Sequence, residues 1–247
     1  MSEIESIYWI WLRELLRFWR MKSRILTSLI QPLLFLTVIG GGFGLVNLGK
    51  VSYQAFLFPG IVAMSLLFIS TSSGISIIFD REFGFLKEIL VAPISRLSIF
   101  IGKALGSATI ALIQGLLILS LSFLIGVNLT LNSLLLSLII MLIISLGMVS
   151  VGLIIASFIE SFESFGLIMN LIVFPIFLLS GSLFPLDQAP AWLKTVSMLD
   201  PLTYGADALR SVILGTSTFP FIYDFLAISV FSVLTIIIGS ITFNRQK

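Results

Sequence analysis

The 247-residue sequence contains no cysteine and no histidine. The first absence excludes disulfides, thiolate nucleophiles and cysteine-based zinc sites; the second removes the commonest metal ligand and the commonest general base near neutral pH. No metal site is expected. Charge is scarce as well: Asp, Glu, Lys and Arg make up 11% of the chain, against about 25% in an ordinary soluble domain. What stands in their place is apolar. The chain is 58% hydrophobic with a mean hydropathy of +1.16, more apolar surface than a soluble core of this length could bury. That composition reads as an all-α polytopic membrane protein, because helices satisfy their own backbone in lipid. The net charge of +2 implies no acidic partner, and nothing points to nucleic acid. Glu3 and Glu5 open the sequence with no short apolar core and cleavage site behind them, so no cleavable leader is read there.

A crossing helix needs about 20 apolar residues. Uncharged runs predict six spans, over residues 25–46, 55–79, 98–125, 133–158, 165–184 and 221–243. The 56 uncharged residues from Ala104 to Ile159 must hold two of them, broken at the turn-forming GVNLTLN, Gly126–Asn132. Six spans put both termini on one side, together with 11 of the 14 Lys and Arg residues. The positive-inside bias makes that side the cytosol, and the location a cell membrane.

One segment interrupts the apolar runs. Asp80–Arg96, DREFGFLKEILVAPISR, carries six charges. Helical spacing gathers Phe83, Phe85, Leu86, Ile89 and Leu90 on one face and sets Asp80, Lys87 and Glu88 opposite, with a stop at Pro93. This predicts a short amphipathic helix between spans two and three on the cytosolic side; a plain solvated loop would carry the charges equally well but needs no five-residue apolar face.

At the N-terminus, residues 1–24 predict an interfacial helix. Arg13, Arg17, Arg20 and Arg24 form one stripe, and Tyr8, Trp11, Leu15, Phe18 and Trp19 another. The simplest role is anchoring, arginines at lipid phosphates and aromatics among acyl chains; contact with a partner protein is the other. Residues 185–220 are too polar to span and are assigned to the outside, as short proline-opened helices. There Asp207 and Arg210 stand i, i+3, spaced for an exposed pair.

GLVNLGKV, Gly44–Val51, imitates a phosphate loop but puts Val51 where a hydroxyl should hold magnesium, and follows a span rather than a strand. Nucleotide binding at Lys50 is not expected. Gly102 and Gly106 make a G-x-x-x-G pair, read as close packing with no particular partner. Glu160, Glu163 and Asp224 are read as boundary residues. An ion-coupled carrier would place ionisable groups at mid-membrane, and a lipid-modifying enzyme would need a catalytic carboxylate pair with a basic or metal partner. A standalone carrier and a membrane-embedded enzyme are thus the alternatives to a transporter powered from outside its own chain.

Two motifs carry a resemblance. DREFGFLKEILVAPISRLSIFIGKAL is similar to the cytosolic signature of the type-2 ABC exporter permeases, and LLSGSLFPLDQAPAWLKTVSMLDPLTYGADALR, Leu178–Arg210, to the outer signature of the same family. Together with the six spans and the N-terminal helix they cover nearly the whole chain, most like the daunorubicin-resistance branch. Asp80 stands where that family usually has Glu, and Asp200 where it usually has Asn. The resemblance implies one permease domain over 1–247 that is not an enzyme. It implies two copies, identical or close paralogues, in the bilayer, each with a separate ATPase subunit that binds ATP and magnesium. It implies a coupling helix over 80–96 built on Asp80, Arg81, Glu82, Phe83, Gly84, Leu86, Lys87, Glu88, Leu90 and Pro93. It also implies an outer gate over 185–220 and the adjoining residues, at Ser180, Gly181, Pro185, Pro201, Tyr204, Asp207 and Arg210. The cargo class it suggests is amphiphilic, drug-like or lipid-like, moved outwards.

Overall fold

The computed structural model describes residues 2–43, 51–84, 94–159 and 161–244. Among these there is no strand. Helix α1 spans Glu3–Arg20, with Ser2 capping its first turn, glutamates there and arginines in its last turn, an arrangement that suits the helix dipole. Helix α2 runs over Lys22–Leu34 and on through a π-helical turn, Phe35–Ile39, to Gly42. Among the described residues five further helices are long and apolar enough to cross a membrane: α3, Tyr53–Glu82; α4, Arg96–Ile125; α5, Leu131–Phe158; α6, Phe162–Leu179; and α9, Phe221–Asn244. Between the last two lie α7, Ala191–Ser197, and α8, Pro201–Leu214. The first of the six expected spans corresponds to the shorter apolar stretch Thr27–Gly42.

The expected break within the long uncharged run falls where glycine and threonine put it. Gly126 takes the left-handed φ of 72° that ends α4, and Thr130 with Ser133 forms a reciprocal cap that starts α5.

Helix α3 is the centre of the molecule. Its apolar residues point in every direction rather than to one face, and it is buried without interruption from Phe56 to Leu67. It packs on α5, α8 and α4, while α9 closes against α5 and α8. Only 22% of the apolar windows of α6 and α9 is buried, against 67% for α3, so the outer faces of those two helices are left for lipid or another chain. Helices α3 and α5 approach closely: a Cβ on Gly74 or Gly152 would run into the main chain of the other helix. At that crossing α3 tightens into a 3-10 turn, Ser72–Gly74.

Candidate functional site

At one end of the bundle, α1 lies along α4 and reaches Asp80 at the tip of α3. Two glycines permit this. A Cβ on Gly102 would come 2.8 Å from the Ile10 Cβ, and one on Gly106 would come 2.8 Å from the Glu14 Cβ. The G-x-x-x-G pair therefore has a definite partner, the N-terminal helix, whose buried residues Ser6, Ile10, Glu14 and Phe18 recur every fourth position. The Trp11 indole N–H donates to Thr109 Oγ1 at 3.1 Å.

Packing α1 there closes a buried ion cluster. Lys103, with no exposed surface, donates to Asp80 Oδ2 at 2.6 Å, Glu14 Oε1 at 3.2 Å and Ser76 Oγ at 3.0 Å. Arg13 donates to the same Asp80 oxygen at 2.6 Å, and Arg17 stands 3.9 Å from Oδ1 with its guanidinium over the Phe79 ring. Burial pushes the Glu14 carboxyl up, but Lys103 and Arg13 outweigh it and hold it below the usual carboxylate value. Burial likewise works against the Arg13 charge, and Asp80 and Glu14 more than restore it. Two carboxylates and three cations thus join the first, third and fourth helices of the chain.

Several residues sit differently from expectation. Arg13 and Arg17 face Asp80 rather than lipid phosphates; Arg20 is exposed, and the side chain of Arg24 lies outside the described residues. Asp80 is 3% exposed and sits in the last turns of α3, not on the solvated face of a separate helix. The reason is electrostatic: a lone lysine seven residues into an apolar helix needs an anion at its own depth. Arg81 donates to the Ile159 carbonyl at 3.1 Å, and Glu82 and Phe83 are exposed, Phe83 stacking on Phe79. Gly84, at φ 77°, turns the chain out of the helix. Leu86, Lys87, Glu88, Leu90 and Pro93 lie outside the described residues, as does Lys50. The chain is described again at Ile94, and Ser95 caps α4.

The opposite end holds the outer-signature residues, and they converge. Arg210 donates to Asp207 Oδ1 at 3.2 Å and to the Gly181 carbonyl at 3.1 Å, and its guanidinium lies over the Phe56 ring, 4.0 Å from the centroid. Asp207 Oδ2 accepts the Thr218 and Phe219 amides at 2.8 Å. The pair is buried, not exposed as the spacing alone suggested, and burial pulls the Arg210 guanidinium below its ordinary value despite Asp207. Asp224, in the first turn of α9 at the boundary where it was expected, is fully buried beside it. Ser180 is bonded to Ser182 at 2.6 Å, and Tyr53 reaches the Leu183 carbonyl at 2.9 Å. Pro185 precedes a 3-10 turn, Leu186–Gln188. Asp200 and Pro201 open α8: one carboxylate oxygen caps Leu202 and the other has no partner, and burial pushes the Asp200 carboxyl up to about 7. Tyr204 ties back to the Met198 carbonyl at 2.7 Å.

Glu14 and Lys103 are the functional-site candidates that sequence reasoning did not single out. The signal for Lys103 was present, as the one cation well inside an apolar helix. Among the described residues no group of Asp or Glu is arranged to hold a metal ion.

The geometry, an all-helical apolar bundle with one charged end and one polar end, agrees with what the chain is similar to. The profile of the family described as ABC-2 type transporter matches residues 5–214. Transport permease ycf38 of Pyropia yezoensis is 36% identical over 222 residues, covering 85% of this chain and 74% of the relative. Nodulation protein J of Rhizobium leguminosarum bv. trifolii is 31% identical over 218 residues, covering 85% and 82%. The ABC transporter permease YbhR of Escherichia coli (strain K12) is 25% identical over 176 residues, covering 71% of this chain and 48% of its own length. The chain belongs to the ABC-2 type transporter family, as a multi-pass membrane transport permease.

Proposed function

We propose that this chain is the membrane-spanning subunit of an ATP-driven exporter of amphiphilic, drug-like or lipid-like molecules, powered by a separate ATPase subunit. Both termini and the charged end of the bundle face the cytosol, and the 185–220 segment faces outwards. Two copies, or this chain and a close paralogue, form the transport path. The ATPase docks on the 80–96 segment.

One observation carries the reading. Beside the exposed Phe83, at the edge of the 80–96 segment, a groove opens between α1 and the tip of α3, lined by Trp9, Leu12, Leu16 and Phe79 with Arg13, Arg17 and Arg20 at its rim. Trp9, Leu16 and Phe83 are exposed there. Large apolar side chains ringed by charge suit a docking protein better than bulk water. The groove is rigidly tied to α4 through Asp80, Glu14 and Lys103, so force applied to it reaches the spanning helices.

Reconstitution tests the proposal. The chain alone in liposomes should hydrolyse no ATP and move no cargo. The chain with its ATPase should do both, for a fluorescent amphiphile loaded on the ATPase side. ATP-independent movement driven by an ion gradient would favour a secondary carrier instead.

A further inference from the structure

A second cavity, of about 360 Å³, lies deeper than the docking groove, between α1, α2, α3 and α4. One part of its wall is apolar, with Phe18, Met64, Phe68, Ile69 and Ile110. The other part is unusually polar for the interior of an apolar bundle, with serines at 28, 65, 72, 73, 76 and 107 and amides at Gln31 and Gln114.

The polar groups are not indifferent to the kind of ligand. Ser65 donates to the Ile61 carbonyl at 2.7 Å and Ser72 to the Phe68 carbonyl at 2.6 Å, so each spends its proton on its own helix and turns lone pairs to the cavity. Gln114 is 1% exposed; its amide nitrogen donates to Ser28 at 2.7 Å, and its carbonyl oxygen has no partner. Ser73 is 9% exposed, and its hydroxyl also has no partner. A buried polar atom left unpaired costs about 1–3 kcal/mol. Two such atoms lining one cavity mark a place that a ligand completes.

The lining offers acceptors, in the Gln114 carbonyl and the Ser65 and Ser72 hydroxyls, and donors, in the Gln31 amide and the Ser73 hydroxyl, so the ligand must both donate and accept. Charge narrows the choice. Glu14 and Asp80 are already matched by Lys103 and Arg13, while Arg17, also in the wall, opposes a cation. The Glu14 carboxylate and the unpaired Gln114 carbonyl in the same wall oppose an anion. Uncharged hydroxyl groups fit. The adjoining phenylalanines and methionine suit an alkyl chain.

We propose that this cavity binds the uncharged, hydroxyl-bearing headgroup of an amphiphile, with Gln114 and Ser73 accepting from or donating to its hydroxyls and the chain lying against Phe68 and Ile110. The site is contained within one copy of the chain. Its occupancy does not depend on the ATPase, so the proposal can fail while the exporter reading stands, and the reverse.

The cysteine-free chain allows a direct test. Ser107→Cys places one thiol in the cavity wall, and Thr195→Cys places a control on exposed α7. In membranes holding the full chain, the rate of N-ethylmaleimide labelling is followed with octyl glucoside, octyltrimethylammonium or free glucose, each below membrane-dissolving concentrations. Octyl glucoside at about four times its dissociation constant should slow labelling of the Ser107→Cys variant about fivefold and leave the control unchanged. The cation of equal chain length and glucose alone should do neither. Gln114→Leu in the Ser107→Cys background should abolish the protection. No protection by octyl glucoside overturns the proposal. Equal protection by octyltrimethylammonium reduces the cavity to an apolar slot and overturns it too, and protection by glucose alone overturns the amphiphile requirement.

Discussion

The Lys103 ammonium lies 2.6 Å from the Asp80 carboxylate, and neither side chain has more than 5% of its surface exposed. Asp80 closes the third helix of the chain and Lys103 stands near the start of the fourth, so this one contact fixes the two antiparallel helices in register on either side of the 80–96 segment. Breaking a buried pair by removing one partner typically costs about 3–5 kcal/mol. Lys103→Met leaves the buried Asp80 and Glu14 to share the half-exposed Arg13 and should lower the thermal midpoint sharply. Asp80→Asn leaves Lys103 with Glu14 and should cost less. In a double-mutant cycle of the two substitutions, followed by thermal unfolding in detergent, the double variant should be more stable than the sum of the singles predicts by about 1 kcal/mol or more. Strict additivity would show that the contact carries no energy.

The N-terminal helix should depend on Gly106. Gly106→Val forces a side chain into Glu14, and overpacking of this kind costs about 1–3 kcal/mol. Since α1 is held on one side only, detachment rather than global unfolding should relieve the clash. A cysteine placed at Ser6, 2% exposed in the native chain, reports it. Its labelling should accelerate in the Gly106→Val background and stay slow in the parent.

Much of this was legible beforehand, for physical reasons. The apolar runs, Gly126 and the Thr130 cap are local signals, and the helices begin and end beside them. The burial of Asp80, Asp207 and Asp224 was not legible. Charge in a sequence says only that a partner or water is needed, and both Lys103 for Asp80 and the Thr218 and Phe219 amides for Asp207 come from elsewhere in the chain. The i, i+3 spacing of Asp207 and Arg210 did reveal their pairing, but spacing on a helix carries no information about depth.

For that pair the consequence is a matter of stability. Asp207→Ala removes the acceptor of two loop amides and leaves Arg210 buried with the Gly181 carbonyl, the Phe56 ring and the neighbouring Asp224. The loss should be about 3–5 kcal/mol, seen as a reduced yield of folded protein. Arg210→Lys should recover little, because a point charge cannot both reach Gly181 and lie flat on an aromatic ring. Normal yield with reduced transport would instead make the pair purely a gating element.

Asp200 should give the molecule a pH dependence of its own. Its carboxyl titrates at about 7 in the folded protein against an ordinary 3.8, so between these values the folded state holds a proton that the unfolded state has lost. The stabilisation is complete below about pH 4 and is lost as pH rises through 7, at about 1.4 kcal/mol for each pH unit crossed between the two values. Asp200→Asn keeps the oxygen that caps Leu202 and removes the ionisation. The variant should be more stable than the parent at pH 8 by a few kcal/mol and little different at pH 4. Parallel stability curves from pH 4 to 8 would contradict this.

ATP energy is expected to enter the chain at the 80–96 segment, and Leu86 tests that most directly. An apolar anchor at the centre of an interface is worth about 2 kcal/mol or more, roughly 30-fold in affinity, whereas a rim charge mainly tunes encounter. The measurement is the recovery of the ATPase subunit with the tagged permease from membranes expressing the parent, Leu86→Ala, Lys87→Ala and a Phe83→Ala/Leu90→Ala double variant at equal insertion. Strong loss is predicted for Leu86→Ala and for the double variant, and a mild, salt-sensitive loss for Lys87→Ala. Equal recovery of the ATPase by all four would contradict it.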